Sequence, residues 1–232
     1  TCWRKYTWPF LVQSVTKNLI IRLDTKGHMA IKSITAKDVS WMHISQVGEP
    51  DLESLQDQFK FHHLDYEDIR AETPISKMDV YKHYIFFVFH IPTIHKDTGH
   101  VYGEELYVFL DKSKIVTLTH VPLPTLDAFF GRLEDGAKFR SSTMSKGSPH
   151  LMYRILMEMF RDSLKIITKL TQEVTRLEED IESRHKKRIT VQLAHARRNI
   201  LFMRHIVDPQ RSFLTSLAHT KHSFVSEDAM IY

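Results

Sequence analysis

The sequence predicts an α/β domain, in which helices cover both faces of a mixed sheet, followed by a long antiparallel helical hairpin. Short apolar strand segments alternate with short helical patterns up to about residue 140, an order that is typical of layered α/β domains. From residue 151 to about residue 220, apolar side chains recur instead every three or four positions. That spacing, kept over so long a stretch, indicates long packed helices.

The first predicted elements are β-strands. Leu19–Leu23 and Met29–Ile34 flank a polar connector that contains Gly27, and together they predict a β-hairpin. Val39–Ser45 is a third candidate strand. Residues 1–18 are rich in aromatic side chains without a clear period, and no element is assigned to them.

A helix and the strongest strand of the chain follow. Pro50 and Asp51 open the predicted helix, with Asp51 as its N-cap. The strand is predicted from Val80 to Ile91, and its segment Ile85–Phe89 is apolar at every position. A strand that is apolar on both faces is buried on both faces, so this one is expected at the centre of the sheet.

A second hairpin is predicted after a polar turn over residues 95–103. Its strands are Leu106–Leu110 and Ile115–Thr119. The segment Leu123–Leu133 is predicted to be helical, with Thr125 as its cap.

These patterns divide the chain into five parts. Gly, Ser, Lys and Pro collect between residues 136 and 149, which indicates a linker. The predicted parts are an unassigned segment (1–18), the α/β/α domain (19–140), the linker (141–150), the helical hairpin (151–220) and the start of a further helix (221–232).

The two long helices are predicted from their apolar stripes. Each covers roughly 30 residues, longer than a compact domain normally needs. Pro209 is expected to kink the second helix, and a plain helix pair without chemistry of its own remains an alternative. The stripe runs through Leu170, Val174, Leu177 and Ile181, stops at the charged run 184–188, and returns at Leu193, Ala196, Ile200, Met203 and Val207.

Composition excludes several classes of protein. Hydrophobic residues make up 42% and charged residues 26%, as in soluble globular proteins. The basic run 184–188 has no interleaved aromatic residues, so nucleic acid is not an expected partner. Cys2 is the only cysteine, which excludes an internal disulfide and a cysteine zinc cluster. No run of about 18 apolar residues occurs, so neither a membrane span nor a signal peptide is expected in this part of the chain, and it is expected to be soluble.

No enzyme is expected. The phosphate-binding loop, the dinucleotide fingerprint, the nucleophile elbow and the zinc-protease histidine pair are all absent from the sequence. The 15 histidines are scattered. His62 and His63 cannot both face one ion from a regular element, and His219 with His222 lacks a recognisable third ligand, so these histidines are interpreted as surface or interface residues.

The order of several motifs resembles the cytosolic domain of CorA-type magnesium channels. The resemblance covers residues 19–232 and depends on the order and spacing of the motifs. They are Trp41–Ile44, Phe59–Ile69, Lys77 ahead of the buried strand, the strand pair Glu105–His120, Leu151–Tyr153 opening the first long helix, and Arg197–Leu217 with Pro209 in the second.

The resemblance implies a homopentamer in the cell (inner) membrane, with this part facing the cytoplasm. A third long helix would continue as a stalk into the first of two membrane spans, and Tyr232 would lie just inside that helix. The spans and the Gly-Met-Asn pore signature would then follow beyond these 232 residues.

The resemblance also implies a metal site at Glu67 and Asp68, between neighbouring subunits. Mg²⁺ keeps much of its water and is commonly held by one or two carboxylates; Co²⁺, Ni²⁺ and Zn²⁺ are alternative ions. Adjacent residues on a helix point about 100° apart, so a carboxylate from a partner is required. The alternative is that both acids stabilise a helix N-terminus. A further family acid aligns with Met157, one place from Glu158, and is not assigned.

The leading hypothesis is therefore a cytosolic regulatory domain of a divalent-cation channel. Mg²⁺ bound between subunits would favour the closed state, and its loss would release the subunits to move. Three alternatives remain: a zinc-transporting member of the same family, a soluble helical scaffold or signalling protein, and an α/β enzyme with a helical appendage.

Overall fold

The computed structural model describes residues 32–180 and 186–219. The predicted strand Leu19–Leu23, the segment 1–18 and the start of a helix at 221–232 lie outside these residues. The elements are β1 (Lys32–Ala36), β2 (Val39–Ser45), α1 (Glu49–Gln58), α2 (His63–Ala71), β3 (Lys77–Val80), β4 (Tyr84–Ile94), β5 (Val101–Asp111), β6 (Lys114–Thr119), α3 (Pro124–Asp135), α4 (Ala137–Met144), α5 (Ser148–Asp180) and α6 (Lys186–His219).

The six strands form one mixed sheet in the order β1-β2-β6-β5-β4-β3. Only the β2–β6 pair is parallel among these strands, with Trp41 opposite Ile115. The longest pairing joins β4 and β5, whose register runs from Tyr84 opposite Asp111 to Ile94 opposite Val101. The predicted mixed sheet is confirmed.

Helices cover both faces of the sheet, as the sequence predicts. Alternate residues of β4 face opposite sides: Phe86 packs in a cluster with α1 and α2, and Phe87 packs in a cluster with α3, α4 and α5. The whole segment from Ile85 to Phe89 is fully buried, so β4 is the central strand expected from its apolar run.

The predicted strand Val80–Ile91 is wrong in one respect. It is two antiparallel strands, β3 and β4, joined by a tight turn in which Tyr81 N donates to Tyr84 O at 3.0 Å. The polar residues of the turn, Lys82 and His83, are exposed. An apolar run does not reveal a reversal at its polar end, which is why one strand was predicted.

Two predicted helix caps are also wrong. Gly48 is the N-cap of α1, and Asp51 lies three residues later, where its carboxylate accepts from Gly48 N at 2.9 Å. Leu123 is the N-cap of α3, and the hydroxyl of Thr125 donates instead to Asp162 on α5. In both cases the polar side chain stabilises the helix start or its packing from inside the first turn.

The predicted linker over residues 141–150 is wrong as a description of local structure. Residues 141–144 belong to α4 and residues 148–150 to α5. Thr143 and Met144 are buried against the core, and Gly147, at φ +97°, makes the turn between the two helices. Ser141 and Ser142 are exposed on α4, Lys146 is exposed in the turn, and Ser148 is buried at the start of α5.

The long helices are present, with 33 residues in α5 and 34 in α6. At about 1.5 Å of rise per residue, each is roughly 50 Å long. α6 continues through Pro209. Among the described helices, none is both long enough and apolar enough to cross a membrane.

The predicted stripe is confirmed on α5 at Leu170 and Leu177 and is confirmed in part on α6, where Ala196 and Met203 are buried. Leu193, Ile200 and Val207 are at least 39% exposed. The buried face of α6 includes the polar Asn199 and Gln210, which a search for apolar residues passes over. That face comprises Ile189, Ala196, Asn199, Met203, Ile206 and Gln210.

Candidate functional site

The candidate site lies where α2 meets β3 and the turn that follows it. α2 starts after His62, whose Nδ1 accepts from Leu64 N at 3.3 Å. Asp65 is the acid of its first turn. Glu67 and Asp68 lie in the second turn, so the alternative that they stabilise the helix N-terminus is wrong.

Asp65 is a fully buried carboxylate. Its Oδ1 accepts from the Tyr81 hydroxyl at 2.7 Å and its Oδ2 from the Tyr84 hydroxyl at 2.6 Å. Burial raises the pKa of Asp65, although the two tyrosine hydrogen bonds act in the opposite direction. Burial and the bonds to Asp65 also raise the pKa of both tyrosines, which keeps them protonated as donors.

Lys77 joins two further carboxylates. Its Nζ lies 2.5 Å from Asp68 Oδ2 and 2.8 Å from Asp79 Oδ2. Burial alone would lower the pKa of Lys77, but the hydrogen bonds to Asp68 and Asp79 outweigh burial and the pKa is raised. The ammonium group therefore serves as the counter-ion of this cluster.

Together, Asp65, Asp68 and Asp79 form a compact set of oxygen donors. One carboxylate oxygen from each lies within 4.8 Å of the others. Carboxylate oxygens are the ligands that Mg²⁺ prefers. We call this set the aspartate cluster.

Glu67 is separate from the aspartate cluster. It is exposed on α2 and forms no ion pair with another described residue. The prediction that Glu67 and Asp68 point in different directions agrees with this arrangement: Asp68 faces Lys77, whereas Glu67 faces outward.

Sequence reasoning singled out Asp68 but missed Asp65 and Asp79. Asp65 lies in the same acidic segment, three residues before Asp68, and Asp79 lies two residues after Lys77 on β3. No local pattern shows that β3 passes beside α2. The available signal was that Lys77 and Asp79 are two residues apart, a spacing that puts both side chains on the same side of a strand.

A second polar network is buried under α3. His43 Nδ1 lies 2.9 Å from Thr117 Oγ1, and His43 Nε2 lies 2.8 Å from Asp127 Oδ1. Such a series can activate a hydroxyl nucleophile, but Thr117 is fully buried and its Oγ1 also accepts from Trp41 Nε1. The network holds α3 against β2 and β6, and the buried hydroxyl of Thr117 is not accessible to a substrate.

The sequence profile of the family described as "CorA-like Mg2+ transporter protein" matches residues 36–232. The chain belongs to this family, which is one of transporters. The recognition from the motif order is thereby confirmed.

Two relatives of similar sequence are named as metal-ion transport proteins. YfjQ of Bacillus subtilis (strain 168) is 24% identical over 207 residues, covering 85% of this chain and 62% of its own length. The "Cobalt/magnesium transport protein CorA" of Thermotoga maritima is 23% identical over 195 residues, covering 83% of this chain and 54% of its own. The chain thus spans little more than half the length of these relatives.

A solved structure shows the same fold. The soluble domain of CorA from Methanocaldococcus jannaschii has a TM-score of 0.66 and 14% identity, over 83% of this chain and 75% of that one. At this identity the similarity concerns the fold alone. It confirms the predicted fold class.

Proposed function

We propose that this chain is the cytoplasmic ion-sensing part of a CorA-like divalent-cation transporter. In this proposal Mg²⁺ binds at Glu67 and Asp68, between neighbouring subunits, and favours the closed state. Family membership supports the transported class of ion. The aspartate cluster, of which Asp68 is a member, is the structural observation that supports the site.

The cluster suits a weak and regulated site. Asp68 and Asp79 are held by Lys77, so an incoming ion must displace an ammonium group. An ion that replaces Lys77 gains carboxylate ligands but gives up part of its bound water. Because Mg²⁺ dehydrates reluctantly, the net gain in binding free energy is modest. Lys77 is therefore a tethered competitor that lowers the affinity of the site.

Glu67 supplies the contact to the neighbouring subunit in this proposal. Because it faces outward from α2 and has no ion-pair partner among the described residues, it can share an ion with a carboxylate of another copy. We propose a homopentamer attached to the cell membrane, with this part on the cytoplasmic side. Ion binding that differs between two arrangements of the subunits would shift their equilibrium.

Thermal unfolding with and without Mg²⁺ tests the proposal. An ion that binds only the folded chain raises its melting temperature, by an amount corresponding to about 2.7 kcal/mol at one hundred times the dissociation constant. Millimolar Mg²⁺ is expected to raise the melting temperature of the wild type and not that of E67Q/D68N. K77M, which removes the competing ammonium, is expected to show a larger rise at the same Mg²⁺ concentration.

One control variant makes the result specific. E178Q/E179Q removes two exposed carboxylates from α5, outside the site, and should respond to Mg²⁺ like the wild type. A shift of the same size in E67Q/D68N would show that the ion binds elsewhere. Parallel titrations with Co²⁺, Ni²⁺ and Zn²⁺ rank the ions at this site; selection among transported ions is expected in the pore.

A further inference from the structure

The outer face of α6 combines apolar and basic side chains. Ala194, Arg197, Arg198, Leu201, Phe202 and His205 line a shallow depression of about 460 Å³. Leu201 is 52% exposed and Phe202 is 39% exposed. Exposed aromatic residues next to arginines are typical of the centre of protein–protein interfaces.

The charge of α6 is strongly one-sided. The helix contains seven lysines and arginines and one acid, Asp208, so its formal charge is +6 (7 − 1). Neither Arg197 nor Arg198 forms an ion pair within the described part of the chain. We call the residues that line this depression the basic face.

The helices on the opposite side of the sheet carry the opposite charge. Within α1 and α2 there are seven acids and one basic side chain, Arg70, which gives −6 (1 − 7). Glu53, Asp57 and Glu67 are exposed and have no ion pair among the described residues. The pKa of Arg70 is raised by its hydrogen bond to Glu49 and by the charges of Glu49, Glu53 and Glu67, because these acids surround it.

We propose that the basic face of one copy binds the acidic face of a second copy, formed by Glu53, Asp57 and Glu67. Within one chain the two faces cannot meet, because α1 and α2 pack on one side of the sheet and α5 on the other, while α6 packs against α5. A contact between two different surfaces of identical chains is head-to-tail, and it closes into a ring when the rotation allows. This interface depends on the homo-oligomer of the proposed function, and it places Glu67 at a subunit boundary.

Charge reversal with internal compensation tests the interface in the 232-residue chain. Like charges placed opposite each other cost several kcal/mol, so R197E/R198E and E53R/D57R should each weaken self-association by about 100-fold or more. The quadruple variant restores opposite charges at every contact and should recover self-association to within about tenfold of the wild type. Sedimentation velocity at low salt and at about 0.5 M salt measures this, and salt should weaken the wild-type assembly.

The matched control is K82E/K112E, which makes the same change in net charge at two exposed turn residues and should leave association unchanged. Thermal unfolding of each variant separates a lost interface from a lost fold. Unaltered association in R197E/R198E, or no recovery in the quadruple variant, would overturn the proposal.

Other occupants of the basic face give different results, each of which overturns the proposal. A monomer that binds phosphatidylserine vesicles through Arg197 and Arg198 would identify a membrane surface. A monomer that R197E/R198E destabilises only while residues 220–232 are present would identify the chain's own C-terminal segment. If R197E/R198E associates like the wild type and also shows the wild-type Mg²⁺ shift, the interface is overturned and the cation site of the proposed function stands.

Discussion

At the scale of single residues, Asp65 shows how the site balances burial against hydrogen bonding. A buried carboxylate is unfavourable unless its charge is satisfied. Tyr81 and Tyr84 donate to both of its oxygens, yet burial outweighs them and the pKa of Asp65 remains raised. Ionised Asp65 therefore costs the folded state free energy that a nearby cation would offset.

The raised pKa of Asp65 predicts a specific pH dependence of stability. Because its folded pKa lies above the unfolded value of 3.8, the folded state binds more protons between the two pKa values, and stability falls as pH rises through that window. Relative to D65N, the wild type should gain stability as pH is lowered from 7 towards about 4. Urea unfolding of both proteins across this range measures the difference.

Only the difference between wild type and D65N is diagnostic, because other acids titrate in the same range. Asp162, whose pKa is lowered by its hydrogen bonds to Lys165 and Thr125, loses stabilisation as pH falls and does so in both proteins. If the wild type instead loses stability relative to D65N on acidification, the pKa of Asp65 is not raised in the folded state.

At the scale of elements, α6 is fixed to the sheet by polar contacts. Asn199 is almost fully buried; its Nδ2 donates to Gly99 O at 3.0 Å and its Oδ1 accepts from Val101 N at 3.1 Å. Gln210 Nε2 donates to His90 O at 2.9 Å. Gly103 allows close approach, since a Cβ there would lie 3.2 Å from Ile206 Cδ1.

Replacing Asn199 by alanine tests this attachment. The change leaves the buried Val101 N–H and the Gly99 carbonyl without their partner, which costs about 1–3 kcal/mol. N199A should lower the free energy of unfolding by that amount, measured in urea. Q172A, an exposed amide on α5, should change it by less than about 0.5 kcal/mol; an equally small effect of N199A would mean that the hydrogen bonds of Asn199 do not hold α6 to the sheet.

The elements that sequence predicts well are those with a local cause. The apolar run Ile85–Phe89 and the long helical periods specify β4, α5 and α6 because burial follows directly from them. The inner face of α6 was predicted only in part, at Ala196 and Met203, because Asn199 and Gln210 are buried by partners about a hundred residues away. Of the three residues of the aspartate cluster, only Asp68 was singled out from the sequence, because it lies in a recognisable segment, whereas Asp79 reaches it only through the fold.

At the scale of the whole molecule, an ion pair and a series of hydrogen bonds connect the site to the second long helix. Lys77 contacts Asp68, and the preceding Ser76 bonds to His90 Nδ1 at 2.8 Å. The carbonyl of His90 then accepts from Gln210 on α6. Displacement of Lys77 by an ion would therefore act on an edge strand whose neighbours hold α6, a route by which ion binding can move the helical hairpin.

Calorimetric titration of the chain with Mg²⁺ tests whether Glu67 and Asp68 bind the ion. We expect saturable binding at about millimolar Mg²⁺, tighter binding in K77M and no measurable binding in E67Q/D68N. Binding to E67Q/D68N with the affinity of the wild type would contradict the assignment of the cation site to Glu67 and Asp68.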